Sequence, residues 1–251
     1  MTDRLKYYLL NLYFYPLFLF FSAFVIPVLT IVITILGILV LPERQTWRRF
    51  RRAINWYGKI VMAIPFPFIR VQYEHSEKND QDGPFIIVCN HRSAADAFLM
   101  GVLPYELVQI VNVWPFRLPV LGQYAKFAGY LNIRMMQYDQ FITKASRLLE
   151  EGVSIVFFPE GTRSTDQTMR NFHSAAFRLA YAAKASIVPL CISGSDIIMP
   201  KGSALLRSGM VKIRQLPPIA WNDYKDLTVF AFKNRVWKIM DRELAMMENR
   251  A

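Results

Sequence analysis

The sequence predicts an α/β fold: a single layered domain with a mixed central sheet flanked by helices, preceded by an N-terminal apolar helical segment that anchors it to a membrane. The 251 residues suffice for one domain with a substantial core and are too few for two. The run from Tyr7 to Pro42 carries no charge. Beyond about residue 66, short β-rich runs alternate with longer helical patterns. We therefore divide the chain into an anchoring segment with a basic amphipathic helix, 1–64, and a folded domain, 65–251.

The uncharged run is long enough to enter a bilayer, since a spanning helix needs about 20 apolar residues. It exceeds the core of a signal peptide, and no small-residue cleavage site follows it, so we expect it to be retained. It could form one tilted span, or a re-entrant hairpin broken at Pro16, Pro27 or Gly37. Basic residues on both flanks favour the hairpin, with both ends in the cytoplasm.

The basic residues of the chain cluster directly after the apolar run. The formal net charge is +11, and the stretch "RQTWRRFRR" occupies residues 44–52. Aromatic and aliphatic residues are interleaved with these arginines over 43–64, a pattern typical of an amphipathic helix lying on an anionic lipid surface. An ordinary helix packed on the domain with its basic face in water is the alternative. The sequence contains no nucleic-acid-binding motif, so we expect a lipid partner and no nucleic acid.

The folded domain alternates predicted strands with predicted helices. The sequence predicts a turn between the first two strands, at 78–84, which would make them a hairpin. Cys89 and Cys191 fall within predicted buried strands, which indicates core thiols and no disulfide. The predicted strands are 68–74, 84–90, 106–112, 130–134, 153–159, 186–192 and 211–216, and the predicted helices are 139–152, 170–185 and 229–250.

The stretch "VCNHRSAADAF" places a histidine where a buried strand turns into a helix. His91 follows the strand, and Asp96 falls in or just after the first helical turn. A carboxylate on one imidazole nitrogen fixes the tautomer and leaves the other nitrogen to take a proton from a hydroxyl. The alternative is a turn histidine with satisfied hydrogen bonds and an aspartate at the positive end of a helix.

A second stretch, "FFPEGTRS" at 157–164, follows another predicted buried strand. Gly161 allows a ligand to approach the backbone, and Arg163 can hold a phosphate through two hydrogen bonds. Glu160 can accept a hydrogen bond from a substrate hydroxyl or orient the arginine. Together the two stretches indicate a base beside a phosphate-binding turn.

"NHRSAAD" together with "FPEGTRS" resembles the glycerophosphate acyltransferase superfamily, of the 1-acylglycerol-3-phosphate (lysophosphatidic acid) acyltransferase type. "GYLNIR" at 129–134 and "IVPLCI" at 187–192 are similar to two further blocks of that family. The resemblance implies that His91 is the general base, that Asp96 orients it, and that the acceptor hydroxyl attacks the thioester of the acyl donor directly. It also implies that Glu160, Gly161, Thr162, Arg163 and Arg134 bind the acceptor. We add Ser93, two residues after His91, to this set of substrate-binding residues.

Ser93 is the one hydroxyl close in sequence to the base, and we interpret it as a helix cap in preference to a nucleophile. His75 and His173 are interpreted as surface or packing residues, although His173 follows the second stretch closely enough to line a pocket. We expect no metal and no cofactor, because no Cys/His cluster or nucleotide loop is present in the sequence.

Family members that act on lysophosphatidic acid often carry lysines where this chain has Asn112 and Val113, with only Arg117 nearby. The acceptor could therefore be a lyso-aminolipid or glycolipid, and a non-catalytic lipid-binding scaffold is a further alternative. The resemblance implies acyl-CoA or acyl-carrier protein as the donor and the cytoplasmic face of a membrane as the location. It leaves the oligomeric state open.

Overall fold

The structure is a computed structural model that describes residues 3–40, 42–75, 83–111, 121–164 and 168–249. Six strands form one sheet: β1 Ile69–His75, β2 Ile86–Cys89, β3 Leu107–Gln109, β4 Ser154–Phe157, β5 Ile187–Ser193 and β6 Gly209–Gln215. The helices in order are α1 Asp3–Phe20, α2 Ile26–Leu39, α3 Glu43–Ala63, α4 Asp96–Leu99, α5 Leu121–Phe127, α6 Tyr138–Glu150, α7 Ala175–Ala183, α8 Ser195–Ile198 and α9 Val229–Met247.

The strand order is β1-β6-β5-β2-β4-β3, with β5 and β6 antiparallel and every other neighbouring pair parallel. Helices cover both faces. One core packs α6, α7 and α9 against the sheet, and the other packs α1 to α4 against its opposite face. The predicted layered α/β domain with a mixed sheet is confirmed. Cys89 and Cys191 are buried and free, also as predicted.

Two sequence-based expectations about strands are wrong. β1 and β2 do not form a hairpin, because β6 and β5 lie between them in the sheet; most of the predicted turn lies outside the described residues. The stretch 130–134 is not a strand, since only Leu131 forms a bridge, to Ile110. The Asn132 side chain accepts hydrogen bonds from the N–H groups of Arg134 and Met135, which turns the chain away from the sheet edge.

The apolar segment forms one continuous helix and not the hairpin that the flanking charges favoured. α1 runs through a π turn, Phe21–Val25, into α2, and the chain first reverses between α2 and α3. The π turn lies directly before Pro27, whose ring crowds the carbonyl four residues earlier, so the wider turn accommodates the proline. By length and composition this helix could cross a membrane.

The long helix is attached to the domain along one side. Asn11 hydrogen-bonds both the N–H and the carbonyl of Leu206, and the Ser22 and Tyr57 hydroxyls are 2.6 Å apart. Yet only 11% of its most apolar 18-residue window is buried inside the protein. A core helix of a soluble protein would be mostly buried, so most of this surface is left for another apolar environment.

α3 packs on the domain beside the sheet. Arg51 is buried and its Nε donates to Glu106 at 2.7 Å. Gly58 and Gly101 let α3 approach the turn after α4 closely: a Cβ on Gly101 would lie 2.8 Å from the Asn55 carbonyl oxygen. One face of the basic helix is thus fixed against the domain, and its position on a membrane surface stays a prediction.

Candidate active site

The two motifs meet at the carboxyl ends of two neighbouring parallel strands. β2 and β4 are paired with Val88 opposite Phe157, so the turns that follow them leave the sheet side by side. Two hydrogen bonds join these turns: Ser164 N–H donates to the His91 carbonyl at 2.9 Å, and His91 N–H donates to Glu160 Oε1 at 2.8 Å. Sequence reasoning placed both motifs at strand ends, and the structure brings them together.

His91 and Asp96 form a hydrogen-bonded pair. His91 Nδ1 lies 2.9 Å from Asp96 Oδ2, and the same oxygen accepts the N–H groups of Arg92 and Ser93, each at 2.8 Å. Asp96 is fully buried at the start of α4. An ionised carboxylate only accepts, so in the neutral form of the imidazole Nδ1 carries the proton and Nε2 has the lone pair.

The His91 ring stands at the wall of a cavity. Its side chain is 22% exposed, and the ring centroid lies 4.5 Å from that of Phe158, at an angle of 36°. Among the residues that the structure describes, no hydrogen bond involves Nε2. The imidazole is therefore fixed on one side and open on the other, as a base for a bound hydroxyl requires.

Glu160 connects the two turns. It is 4% exposed, and while Oε1 accepts from His91 N–H, Oε2 accepts from Arg170 N–H at 2.8 Å. Burial raises the pKa of this carboxyl, and the hydrogen bonds from the Arg170 and His91 amides lower it in part. Both oxygens are engaged with the backbone, so Glu160 positions the base turn and does not line the cavity.

Ser93 is also turned inward. It is fully buried, its hydroxyl donates to the Met199 carbonyl at 3.0 Å, and it accepts the Ala95 N–H at 3.2 Å. These bonds tie the turn before α4 to the segment after α8. The N-cap of α4 is Ala95, which has no side-chain cap, so Ser93 holds the preceding turn and is not the helix cap that the sequence predicted. Ser93 is not among the residues that line the cavity, and its contact with substrate stays a prediction.

The cavity beside His91 has a volume of about 820 Å³. The remaining predicted site residues, Gly161, Thr162, Arg163 and Arg134, line it. Gly161 has a φ of +69°, and a Cβ there would lie 3.0 Å from the His173 ring. Apolar residues of the N-terminal helices and α4, including Ile26, Ile54, Tyr57 and Phe98, also line it. The cavity lining thus combines cationic and apolar side chains.

Comparison with known proteins identifies the chain. A family model described as "Acyltransferase" matches residues 70–193. A 1-acyl-sn-glycerol-3-phosphate acyltransferase of Limnanthes alba is 30% identical over 216 residues, which make up 82% of this chain and 75% of that protein. The chain belongs to the 1-acyl-sn-glycerol-3-phosphate acyltransferase family. The resemblance carried by the two motifs is therefore confirmed.

Two further comparisons describe the extent of the similarity. The chloroplastic acyltransferase LPAT1 of Arabidopsis thaliana is 30% identical over 176 residues, 67% of this chain, and the chain spans about half the length of that relative. The crystal structure of the 1-acyl-sn-glycerophosphate (LPA) acyltransferase PlsC from Thermotoga maritima superposes with a TM-score of 0.80, covering 98% of both chains at 22% identity. At that identity the likeness shows the shared fold alone.

Three further residues that line the cavity carry a charge or can gain one, and the motifs did not identify them as binding residues. Arg178 lies on α7, Lys201 follows α8, and His173 precedes α7; all three line the cavity. A lone arginine on an amphipathic helix has the sequence pattern of a solvated face, so only its place in the fold distinguishes it. Asn112, Val113 and Arg117, on which the identity of the acceptor was predicted to depend, lie outside the described residues.

No cluster of three or more His, Cys, Asp or Glu side chains that could hold a metal ion occurs within the described ranges. His75, at the end of β1, contacts Tyr73 and is not part of the cavity wall.

Proposed function

We propose that this chain transfers a fatty acyl group from acyl-CoA or acyl-carrier protein to the free hydroxyl of 1-acylglycerol-3-phosphate, giving phosphatidic acid. The observation that carries the proposal is the His91–Asp96 pair at the wall of a cavity that is lined by both cationic and apolar side chains. A lysophosphatidic acid has two matching parts, a phosphate and an acyl chain, with the reactive hydroxyl between them.

The reaction follows from the tautomer. His91 Nε2 accepts the proton of the acceptor hydroxyl as the hydroxyl oxygen attacks the thioester carbonyl carbon. The resulting imidazolium is stabilised by the Asp96 carboxylate, which is 2.9 Å from Nδ1. The tetrahedral intermediate then collapses, the carbon–sulfur bond breaks, and the thiolate takes the proton back from Nε2. The products are the ester and the free thiol, and no covalent enzyme intermediate, metal or cofactor is needed.

The basic side chains support an anionic acceptor. Arg163 and Arg134 line the cavity with Gly161 and Thr162, and no Asp or Glu occurs among its described lining residues. We infer that these four residues bind the glycerol and phosphate of the acceptor, and that Glu160 acts through the turn it holds. The apolar side chains, which include Ile26 of the long helix, would receive an acyl chain from the membrane side.

The long apolar helix supports a location at the membrane. Its surface is mostly unburied, and arginines flank its C-terminal end, which favours the cytoplasmic side of the inner membrane for the active site. Lysolipid acceptors reside in that membrane, and both proposed donors are soluble carriers that would approach from the cytoplasm.

The experiment is acyl transfer by the purified, detergent-solubilised protein, followed by mass spectrometry. Palmitoyl-CoA is offered with lysophosphatidic acid and, in parallel, with other lysolipids, and palmitoyl-carrier protein is offered as a second donor. We expect phosphatidic acid as the main product and none from a His91→Ala control. If product formed only with a lyso-aminolipid or a glycolipid, that lipid and not lysophosphatidic acid would be the acceptor. If no acceptor gave product, a lipid-binding scaffold would be favoured.

A further inference from the structure

Four cationic side chains line the acyltransferase cavity: Arg134, Arg163, Arg178 and Lys201. They come from four separate segments of the chain, which only the tertiary fold brings together. Arg134 lies in the turn after Leu131, Arg163 in the turn after β4, Arg178 on α7, and Lys201 after α8.

None of the four forms an ion pair with a carboxylate in the part of the chain that the structure describes. The ion pairs there involve other basic residues, for example Arg51 with Glu106 and Arg214 with Glu74. Arg134, Arg178 and Lys201 are exposed and Arg163 is half-buried, so the repulsion among these like charges is modest and is screened by water. An anion bound among them removes this cost, so the unpaired cations indicate an anionic ligand.

Two of the four are held towards the cavity by contacts of their own. The Arg178 guanidinium carbon lies 5.8 Å from the centre of the Tyr138 ring, which also lines the cavity. Lys201 Nζ donates to the main-chain carbonyl of Arg163 at 3.1 Å. That bond places the lysine charge directly beside the turn of the second motif.

We propose that Arg178 and Lys201 are binding residues for a phosphate monoester, and that they complete the site to which Arg134 and Arg163 contribute. This inference rests on the proposed function and extends it to two residues outside the motifs. A monoester carries up to two negative charges and three terminal oxygens, which accept several charge-assisted hydrogen bonds at once. An arginine can supply two of these donors and the lysine a third.

Two molecules in the proposed reaction carry this group: the acceptor lysophosphatidic acid and coenzyme A, through its ribose phosphate. We assign the site to the acceptor, because Arg178 and Lys201 line the same cavity as His91, and Lys201 is hydrogen-bonded to the main chain of Arg163. Steady-state kinetics separates the two sources when each substrate is varied at saturation of the other.

The test compares Arg178→Met and Lys201→Met with two matched controls, Arg242→Met and Lys225→Met, which remove the same charges from exposed positions outside the cavity. We expect the KM for lysophosphatidic acid to rise about tenfold in each cavity variant, which corresponds to about 1.4 kcal/mol. The KM for palmitoyl-CoA and the kcat should stay within twofold. A rise for palmitoyl-CoA alone, or an equal rise for both substrates, would overturn the assignment to the acceptor.

A binding measurement separates this inference from the proposed reaction. The unfolding temperature of the full chain in detergent is recorded with lysophosphatidic acid and with lysophosphatidylcholine, whose phosphate is a diester, and no acyl donor is present. We expect the wild type to be stabilised by the monoester and each cavity variant to lose most of that shift, with Arg178→Lys retaining part of it. If the wild type showed these temperature shifts but no acyl transfer, the proposed function alone would be overturned. If lysophosphatidic acid raised the unfolding temperature of both cavity variants as much as that of the wild type, the inference alone would be overturned.

Discussion

Replacing Asp96 with asparagine removes one negative charge from the buried centre of the site and keeps the shape of the side chain. Asp96 Oδ2 accepts three hydrogen bonds, from His91 Nδ1 and from the N–H groups of Arg92 and Ser93. Those two main-chain donors require an acceptor at this position, so the oxygen of an asparagine would be held there. The His91 tautomer should therefore survive the substitution, with Nε2 still unprotonated.

The charge is what the variant loses. A hydrogen bond to a charged group contributes about 1.5–3 kcal/mol and a neutral one about 0.5–1.5. The difference is about 1 kcal/mol for each of the three bonds. The new amide N–H group would occupy the place of Asp96 Oδ1, which has no partner within the described ranges, and its burial adds to the cost. We expect Asp96→Asn to lower the free energy of unfolding by at least about 3 kcal/mol.

The kcat should fall as well, because the imidazolium formed in the transition state loses its counter-ion. General acid–base catalysis contributes about 10²- to 10⁴-fold, and we place the loss of kcat at about 10²-fold, the lower end, because the base itself remains. The assay is acyl transfer to lysophosphatidic acid at saturating substrates, with unfolding followed in parallel. Asp96→Ala is the comparison, since it leaves all three donors without an acceptor. A wild-type kcat in Asp96→Asn would refute the charged role of this residue.

Three further predictions concern the surroundings of the base. His91→Ala should lower kcat by at least 10²-fold while membrane association persists, and retained transfer would contradict the general-base role. Because burial raises the pKa of Glu160, the native state holds this proton more tightly than the unfolded chain. The free energy of unfolding should then fall as pH rises from the ordinary carboxyl pKa of 4.5 through the pKa of Glu160 in the folded state. Glu160→Gln should remove this contribution. If the free energy of unfolding changed with pH at the same slope in the wild type and in Glu160→Gln, the raised pKa would be contradicted. Gly101→Ala would press a methyl group against the Asn55 carbonyl and destabilise the protein by about 1–3 kcal/mol, whereas Gly209→Ala, which meets Ile198 at an ordinary 3.4 Å, should be tolerated; similar melting temperatures for the two variants would contradict the packing argument.

The contact between His91 and Asp96 could be predicted from the sequence because its geometry is local. His91 and Asp96 are five residues apart, and the turn between a buried strand and a short helix brings them within 2.9 Å. The same reasoning placed the second motif at a strand end. It could not show that Glu160 faces inward, because the partner that fixes Oε2, the Arg170 N–H, belongs to a segment that folds back after the turn.

The incorrect predictions concern segments that are neighbours in sequence and are not neighbours in space. β1 pairs with β6, from the far end of the chain, so the turn before β2 joins strands that are not adjacent. The predicted helix at 170–185 begins only at Ala175, since the His173 N–H donates to the Pro159 carbonyl and holds the preceding residues beside the site. Arg178 and Lys201 reach the cavity only through this tertiary arrangement, and no local pattern distinguishes them from surface cations.

The C-terminal helix also reaches the catalytic turn, and this contact can be tested. Arg92 lies between His91 and Ser93, its side chain is 3% exposed, and its guanidinium forms an ion pair with Glu248 at the end of α9. Removing one partner of a buried ion pair is costly, because the remaining charge stays buried. Glutamine at 248 keeps one acceptor oxygen, so we expect Glu248→Gln to lower the free energy of unfolding by about 1–3 kcal/mol.

The main-chain N–H of Arg92 donates to Asp96. A shift of the Arg92 side chain should move this main chain and so disturb the His91–Asp96 pair. We expect kcat to fall severalfold in Glu248→Gln while the KM for lysophosphatidic acid stays the same, because neither Arg92 nor Glu248 lines the cavity. Asp241→Asn removes a carboxylate from the same helix and serves as the control. If Glu248→Gln matched this control in both kcat and melting temperature, α9 would have no part in positioning the catalytic turn. A fall in kcat confined to Glu248→Gln would mean that residues 156 positions apart in sequence jointly position the base.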